Sequence, residues 1–364
     1  MPTFTPIIAK LPSTVPFVGP EALERRAKAK IRARIGANES VFGPSPKAIA
    51  AMQAAASESW RYGDPENHDL KAAIAKVVGV APDNIACGEG IDSLLGLVVR
   101  LFIDPGDAVV TSLGAYPTFN FHVAASGGRL VTTPYVDDHE DPASLLGLAN
   151  SENAKLLYFA NPDNPMGTHW SAAEVQRFIV AVPDTTMLLL DEAYVEFAPE
   201  GTAPAIDVAR KNMLRFRTFS KAHGMAGIRV GYVIGHPEMI SAFDKIRNHF
   251  GISRISQAGA IAAIQDEAWV ANVKSKVVAA RRRIKTIAVD NKLLPIPSAT
   301  NFVTLDCGRD GAFARAIVDG LLAHGIFIRM PGVAPLNRCI RISCGTKEDL
   351  DLLDRVLPKV LAAL

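Results

Sequence analysis

The chain has 364 residues, and its 39 lysines and arginines are nearly balanced by 37 aspartates and glutamates, which leaves a formal net charge of +2. This balance lacks the basic excess that is typical of nucleic-acid-binding domains, and no apolar run is long enough for a membrane span. The length is sufficient for two domains that each bury a sizeable core.

Cysteine and histidine spacing indicates neither a metal site nor a redox motif. Cys87, Cys307, Cys339 and Cys344 include no CxxC pair, and the eight histidines lack the HExxH spacing. The first residues, MPTFTPIIAKLPS, have no long apolar core of the kind found in signal peptides. These features favour a cytoplasmic protein with reduced cysteines.

The first part of the chain predicts an arm followed by helices. Residues 1–38 are Pro-rich and then basic, which is typical of an arm that lies on the surface or on a partner. PSPKAIAAMQAAA predicts a helix with Ser45 as N-cap and Pro46 in the first helical position. HDLKAAIAKVVG predicts a helix closed by Gly79, and IDSLLGLVVRLF predicts a helix that ends at the DPGD turn of residues 104–107.

Six apolar segments then predict strands, and helical patterns or long connections separate most of them. Their sequences are AVVTS, RLVTTPY, KLLYFA, MLLL, MLRFRTF and VGYVI. Because this alternation favours crossover connections, we predict an α/β fold with a largely parallel sheet.

The last part of the chain predicts a smaller α+β unit. A long helix from Gln257 to about Lys285 leads out of the larger unit. It is followed by the strands NFVTLD, IFIRM and RCIRISC, by the helix AFARAIVDGLLAHG between the first two, and by a final helix from Lys347.

The segment FSKAHGMAGIRVGY places a lysine, a serine and an arginine beside one strand end. Lys221 follows the run MLRFRTF and precedes a Gly-rich turn, where its amine is well placed to form a Schiff base with an aldehyde. Ser220 and Arg229 add a hydroxyl and a guanidinium, which suit a phosphate group. Together these groups match the aldehyde and the phosphate of pyridoxal 5′-phosphate (PLP).

Two earlier strand ends carry a carboxylate and an amide. Asp191 follows MLLL at the sheet edge where ligands bind in open α/β folds. A carboxylate at that depth needs a cationic partner, such as a protonated pyridine nitrogen. Tyr194 and Asn164 can hydrogen-bond the phenolic oxygen of the same ring. Asn164, Asp191 and Lys221 follow one another at intervals of about one crossover unit.

With these motifs the chain resembles the fold-type I PLP-dependent aminotransferases of class I/II, and most of all the histidinol-phosphate aminotransferase group. The resemblance covers nearly the whole chain, and NPxNPxG, DEAY and SKxxGxxGxRxGY are highly specific as an ordered set. Further matching segments are ANESVFGPSPKAIAAM, RYGDPENHDLKAAIA, GEGIDSLLG, AYPTFNFH and CIRISCGT.

The resemblance implies a large domain with a mostly parallel seven-stranded sheet and a smaller α+β domain. The implied boundaries are 1–40 for an N-terminal arm that is part of the small domain, 41–275 for the large PLP-binding domain, and 276–364 for the small C-terminal domain.

The resemblance also implies a role for each site residue, with Lys221, Asp191 and Tyr194 as the catalytic set. Gly90, Ile91 and Asp92 would offer helix N-terminal amides to the cofactor phosphate, and Tyr116 would stack on the ring. The residues implied to bind PLP are Gly90, Ile91, Asp92, Tyr116, Asn164, Asp191, Tyr194, Ser220, Lys221 and Arg229, with Tyr62 supplied by the partner subunit. Those implied to bind the substrate are Arg341, Arg329 and Asn164.

Three residues depart from the family pattern. Met166 stands where threonine is usual, which leaves the ring contact of Asn164 in place. Glu89 adds a negative charge near the expected phosphate site. Phe17 stands where the histidinol-phosphate enzymes have a tyrosine that helps to bind the substrate phosphate. The missing hydroxyl argues mildly against a phosphorylated donor.

The implied reaction is a ping-pong transfer of an amino group through the Lys221 Schiff base. The donor would be an amino acid or an amino-alcohol phosphate, histidinol-phosphate-like or aromatic, and the acceptor a 2-oxo acid such as 2-oxoglutarate. A PLP-dependent decarboxylase or carbon–sulfur lyase would share the first steps, and a non-catalytic PLP-sensing regulator is a remoter alternative. Because Tyr62 would complete a neighbouring site, a homodimer is implied; neither nucleic acid nor a membrane is expected as a partner.

Overall fold

The computed structural model describes residues 2–13 and 18–364, in which helices and strands alternate. The α-helices are α1 (Pro20–Ala27), α2 (Pro46–Ala56), α3 (His68–Val78), α4 (Ile91–Phe102), α5 (Pro117–Ala125), α6 (Pro142–Ser151), α7 (Ala172–Ala181), α8 (Pro237–Ala242), α9 (Arg254–Ile264), α10 (Glu267–Asp290), α11 (Gly311–Ala323) and α12 (Lys347–Ala362). Within the described chain, no helix combines the length and the apolar character that crossing a membrane requires.

The strands fall into one large sheet and two small ones. They are β1 (Ala33–Arg34), β2 (Ile85–Gly88), β3 (Ala108–Ser112), β4 (Arg129–Thr133), β5 (Leu156–Ala160), β6 (Met187–Asp191), β7 (Met213–Thr218), β8 (Gly231–Gly235), β9 (Leu294–Pro295), β10 (Phe302–Asp306), β11 (Ile326–Phe327) and β12 (Cys339–Ser343).

The large sheet has seven strands in the order β2-β8-β7-β6-β5-β3-β4. From β7 to β4 the neighbours pair in parallel, whereas β8 runs antiparallel to both β2 and β7. The structure therefore confirms the predicted, largely parallel sheet. Its seventh strand, β2, is a four-residue segment that the sequence patterns did not predict.

Helices cover both faces of this sheet, because alternate residues of each strand point to opposite sides. Leu157 and Phe159 of β5 pack in one apolar cluster with α6 and α7. Leu156 and Tyr158 pack on the other face, in the cluster that includes α4 and α5. Burial on both faces explains why the central strands are continuous apolar runs.

Local sequence signals determine the ends of the predicted helices. Ser45 caps α2 by accepting a hydrogen bond from the amide of Ala48 at 3.0 Å, and Pro46 is the first helical residue. α3 ends where Gly79 adopts a left-handed φ of 77°. The helices predicted from PSPKAIAAMQAAA, HDLKAAIAKVVG and IDSLLGLVVRLF are confirmed as α2, α3 and α4.

The C-terminal residues form a smaller antiparallel sheet covered by helices. β10 pairs with both β12 and β9, and α10, α11 and α12 pack in one apolar cluster with it. β1 pairs in parallel with β11, which brings the end of the N-terminal arm beside these strands. The boundaries 1–40, 41–275 and 276–364 stay a prediction.

The prediction of one helix from Gln257 to about Lys285 is wrong, because two helices occupy this stretch. α9 ends at Ile264, and α10 begins at Glu267. Between them, Asp266 has φ −98° and ψ 68°, outside helical geometry, and its carboxylate accepts a hydrogen bond from Nζ of Lys47 at 3.3 Å. Aspartate is poor in helix interiors because its carboxylate competes for backbone groups, and here a tertiary contact holds it outside the helix.

A buried ion-pair cluster anchors the backbone directly after Asp191. Glu192 points to the opposite sheet face and binds Nη2 of Arg215 at 2.5 Å and Nε of Arg217 at 2.9 Å. The side chains of Glu192 and Arg215 are each only 1% exposed. Burial alone would raise the pKa of Glu192, but the charges of Arg217 and Arg215 outweigh it and lower that pKa.

Replacing Glu192 by glutamine should lower the free energy of unfolding by about 3–5 kcal/mol, because two buried arginines lose their counter-charge. Since the folded pKa lies below the unfolded value of about 4.5, the ion-pair contribution is complete above that value and is lost as pH falls through the folded pKa. Urea unfolding at pH 7 and pH 3.5 measures this difference, which should shrink at pH 3.5. An equal difference at both pH values would contradict an ionic origin.

Candidate functional site

The parallel strands of the large sheet end at one edge, and the predicted site residues follow these ends. Ala160 of β5, Asp191 of β6 and Phe216 of β7 are paired neighbours. The loops that leave β5 and β7 at this edge carry Asn164 and Lys221. The amide, the carboxylate and the amine that the sequence pattern singled out therefore lie side by side.

A cavity of about 910 Å³ opens at this edge, between the large sheet and the C-terminal unit. Its volume is in the range of small-molecule sites. The predicted site residues in its wall are Ile91, Asp92, Tyr116, Asn164, Asp191, Tyr194, Ser220, Lys221, Arg229, Arg329 and Arg341.

Asp191 presents a buried carboxylate at the floor of this cavity. It is 6% exposed, accepts a hydrogen bond from the hydroxyl of Tyr158 at 2.7 Å and accepts another from the amide of Ala193 at 2.9 Å. Burial raises the pKa of Asp191, against the lowering effect of the Tyr158 hydrogen bond. A cationic ligand atom beside the carboxylate would reverse this effect, as the pyridinium prediction requires.

Lys221 lies beside Asp191 with its amine inside the cavity. Nζ donates a hydrogen bond to the backbone oxygen of Asn38 at 3.1 Å and lies 5.4 Å from the ring centroid of Tyr194. Burial, followed by repulsion from Arg341, lowers the pKa of Lys221 to about 8. A substantial fraction of this amine is therefore neutral near pH 8, the form that attacks a carbonyl or accepts a proton.

Arg341 and Asn164 are in direct contact above the floor. Nη1 of Arg341 donates a hydrogen bond to Oδ1 of Asn164, and Nη2 donates to the backbone oxygen of Gly36 at 3.4 Å. Its buried Nε has no hydrogen-bond partner among the described residues. Burial lowers the pKa of Arg341 to about 10. This guanidinium therefore retains donor capacity for an anionic ligand.

Arg329 is the backbone neighbour of Arg341. The Arg341 amide donates to the carbonyl oxygen of Arg329 at 2.6 Å, and the Arg329 amide donates in return at 3.3 Å. The Arg329 side chain also bonds the backbone oxygen of Val18 at 3.2 Å. Burial lowers the pKa of Arg329. The two arginines thus line adjacent parts of the cavity wall.

Arg229, Ser220 and the start of α4 form a cradle at the other end of the floor. Nη1 of Arg229 lies 3.5 Å from Oγ of Ser220, and Nη2 donates to the backbone oxygen of Glu89 at 3.3 Å. Gly90 has φ 86°, and a Cβ added there would lie 2.5 Å from Nη2 of Arg229. A Cβ at Gly231 would lie 2.7 Å from the Ile91 amide. Both glycines leave room at the helix N-terminus.

The acidic side chains near this cradle are engaged elsewhere. Asp92 pairs with Nε2 of His122 at 3.1 Å, so its backbone amide rather than its carboxylate suits a phosphate. Glu89 accepts a hydrogen bond from Oγ of Ser93 at 3.0 Å and packs against Gly251. Arg229 thus bonds the backbone oxygen of Glu89, while the Glu89 carboxylate bonds Ser93.

The predicted aromatic residues differ in where they lie. Tyr116 is half-buried in the cavity wall, and burial raises its pKa. Tyr62 is 75% exposed and packs its ring 4.6 Å from that of Phe250 on the outer surface. A single chain does not bring Tyr62 into the cavity, so its predicted role requires a second chain. Phe17 lies outside the described residues.

Two residues in direct contact with the predicted set escaped the sequence reasoning. Tyr158 binds Asp191 from the neighbouring strand, and Asn38 contacts both Lys221 and Tyr194. A tyrosine inside the otherwise apolar run KLLYFA was a usable signal, since a buried hydroxyl needs a partner. Asn38 stands in the matching segment ANESVFGPSPKAIAAM, but that resemblance assigned it no role, and its partners are distant along the chain.

These residues fit PLP. The amine of Lys221 suits its aldehyde, the carboxylate of Asp191 suits its ring nitrogen, and the cradle of Arg229 and Ser220 suits its phosphate. Gly90 has no side chain, and a Cβ at this position would displace Arg229 from the cradle.

Replacing Gly90 by alanine should weaken PLP binding about 10- to 100-fold, because the new Cβ pushes Arg229 away and a charge-assisted hydrogen bond is lost. Titration of the protein with PLP, followed by fluorescence, measures the affinity. Gly79→Ala is the matched control, since Gly79 has φ 77° but nothing within 4 Å of an added Cβ. The control should lose stability yet bind PLP normally, and equal affinity in both variants would refute the cradle.

Comparisons with known proteins show the family to which the chain belongs. The profile of the class I and II aminotransferases matches residues 33–357. A histidinol-phosphate aminotransferase of Anaeromyxobacter sp. (strain Fw109-5) is 33% identical over 368 residues, all of both chains. One from Roseiflexus castenholzii is 35% identical and covers 98% of this chain and 97% of its own.

A solved structure extends the comparison to three dimensions. The crystal structure of histidinol-phosphate aminotransferase from Sinorhizobium meliloti in complex with PLP superimposes with a TM-score of 0.97 at 57% identity, covering 99% of this chain and 98% of that chain. The resemblance and the fold class predicted from the sequence are confirmed. The chain belongs to the class I and II aminotransferases and is a transaminase that uses PLP.

Proposed function

We propose that this aminotransferase takes its amino group from a donor with an anionic group, an amino-alcohol phosphate of the histidinol-phosphate kind or an aromatic amino acid. The acceptor is a 2-oxo acid such as 2-oxoglutarate. The observation that carries this proposal is the position of Arg341, whose buried and partly unpaired guanidinium lines the cavity that also holds the amine of Lys221. The named relatives act on histidinol phosphate, which supports the first donor class.

Bound PLP supplies an aldehyde that condenses with amines and a ring that withdraws electrons from the carbon beside the nitrogen. Lys221 then holds and moves the proton of that carbon through Nζ, because its lowered pKa of about 8 suits a general base near neutral pH. Asp191 holds a positive charge on the ring nitrogen, which its burial beside Tyr158 makes favourable. Asn164 and Arg341 orient the substrate over this floor.

The cavity wall has further positive charge besides Arg341. Leu23 and Arg26 of α1, together with Arg315 and Asp319 of α11, also line the cavity, and both of these arginines are exposed. Within the described ranges, the side chain of neither arginine takes part in a hydrogen bond or an ion pair. We name Arg26 and Arg315 the rim arginines. We propose that they bind the anionic group at the far end of the donor. In the histidinol-phosphate enzymes a tyrosine hydroxyl helps to bind that group, and Phe17 has no hydroxyl.

We also propose that the active form is a cytoplasmic homodimer in which Tyr62 reaches the PLP phosphate of the partner subunit. Tyr62 packs against Phe250, which is 50% exposed, and Trp60, two residues before Tyr62 in the sequence, is 76% exposed. Clustered aromatic exposure of this kind is typical of a protein–protein contact.

The proposed donor class is tested by adding amines to the PLP-loaded protein without any 2-oxo acid. Histidinol phosphate should remove the visible absorbance of the lysine-bound cofactor with one equivalent of donor, and 2-oxoglutarate should restore it. Phenylalanine, glutamate and aspartate are the comparison donors. Lys221→Ala is the control, and it should lack this absorbance. A donor turned over with carbon dioxide or a thiol released, and with the absorbance retained, would instead indicate a decarboxylase or lyase.

Replacing Arg315 by glutamine should raise KM for a phosphorylated donor about tenfold and leave kcat nearly unchanged, because a charge-assisted hydrogen bond of about 1.4 kcal/mol is lost. Steady-state kinetics with histidinol phosphate measures both constants. Arg355→Gln, which removes an exposed arginine outside the cavity wall, is the control. If both variants show the same KM as the unmodified enzyme, the rim arginines do not bind the donor.

A further inference from the structure

Asn38 connects the two sides of the cavity through hydrogen bonds with four residues of the described chain. Its Nδ2 donates to the Tyr194 hydroxyl at 3.1 Å, and its backbone oxygen accepts from Nζ of Lys221 at 3.1 Å. That oxygen also accepts from Nδ2 of Asn301 at 3.1 Å, and Ser343 bonds both the backbone amide and Oδ1. Two partners follow strands of the large sheet, and two belong to the C-terminal unit.

Ser343 fixes which way the amide of Asn38 faces. The Asn38 backbone N–H can only donate, so Oγ of Ser343 accepts it at 2.9 Å. The single hydroxyl proton of Ser343 is then free to donate to Oδ1 of Asn38 at 3.0 Å. With Oδ1 engaged, Nδ2 must face Tyr194. The amide orientation therefore follows from the serine.

This orientation determines the direction of the Tyr194 proton. A phenol that accepts a hydrogen bond from Asn38 has its own O–H free to rotate toward another acceptor. Tyr194 lines the cavity and is only 4% exposed, so that acceptor is an atom bound in the cavity. Asn38 thereby makes Tyr194 a donor toward the cavity.

The backbone oxygen of Asn38 acts in the same way on Lys221. A neutral amine that donates one N–H to this oxygen directs its lone pair away from it. Asn38 has φ 55°, a left-handed conformation that asparagine tolerates better than most residues. That conformation places the amide at Ser343 and Tyr194 while the carbonyl faces Lys221.

We propose that Asn38 is a positioning residue for transamination, which sets the proton direction of Tyr194 and the lone-pair direction of Lys221 together. This role rests on the proposed assignment of Lys221 as the cofactor-bearing lysine. Asn38 itself remains uncharged and does not exchange a proton. It acts through Lys221, which moves the proton, and through Tyr194, which donates a hydrogen bond.

Other charged groups around Lys221 also affect its pKa, in the unmodified enzyme and in any variant at position 38. Arg341 and Arg229 repel a proton on Nζ, and Glu39 and Asp191 attract one. Their opposing charges act on every variant equally as long as the fold is kept. A change of charge at position 38 should therefore shift the pKa of the Lys221 nitrogen by a measurable amount relative to the unmodified enzyme.

The test compares three variants of the PLP-loaded enzyme. Asn38→Asp tolerates the same backbone conformation but cannot donate to Tyr194, and its charge favours the protonated nitrogen of Lys221. The pH midpoint of the visible absorbance of the lysine-bound cofactor should rise by about one unit or more. Asn38→Gly retains the backbone oxygen and the positive φ but loses the side-chain amide that bonds Tyr194. For this reason kcat should fall about tenfold with little change in KM. Ser343→Ala leaves position 38 intact, and kcat should fall several-fold.

Asn67→Gly is the matched control, because Asn67 is also buried, at 4% exposure, and has φ 54° but lies outside the cavity wall. It should lose folding stability without moving the pH midpoint. Unchanged midpoints in Asn38→Asp together with unchanged kcat in Ser343→Ala would overturn the positioning role. An unmodified enzyme that shows no lysine-bound absorbance with PLP would overturn the proposed function itself, and this inference with it.

Discussion

The parallel pairing of β5, β6 and β7 is the constraint on which the site depends. In parallel strands the carboxyl ends meet at one edge, so side chains that are far apart in sequence become neighbours. The register Ala160–Asp191–Phe216 aligns the three strand ends. Each chemical group then needs only a short loop to reach its place. On the opposite face of the sheet, Glu192 pairs with Arg215 and Arg217. These ion pairs anchor the backbone next to Asp191, which therefore has little freedom to shift.

The second organising feature is a surplus of positive charge among the residues that line the cavity. Burial lowers the pKa of both Lys221 and Arg341; repulsion from Arg341 adds to this effect at Lys221, and repulsion from Arg329 adds to it at Arg341. On the proposed roles, a donor anion at Arg341 would offset the repulsion that this arginine exerts on Lys221, and so would raise the pKa of the Lys221 amine.

Much of the fold and the site was predictable because the signals were local or ordered along the chain. The caps of α2 and α3, the apolar strands and the groups at Asn164, Asp191 and Lys221 follow from short patterns. The break at Asp266, the strand β2 and the contacts of Asn38 and Tyr158 were not predicted, since each depends on a tertiary partner. Propensity describes what a segment can form, and its neighbours decide where it ends.

Strand β12 carries two of the side chains to which we assign a role in the cavity, Arg341 and Ser343. Ile340 and Ile342 face the apolar core of the C-terminal unit, so the alternation of a strand turns Arg341 and Ser343 to the opposite side. Arg341 contacts Asn164 there, and Ser343 orients Asn38. One strand therefore carries both the arginine that we propose for the donor anion and the serine that orients Asn38, which contacts Tyr194 and Lys221.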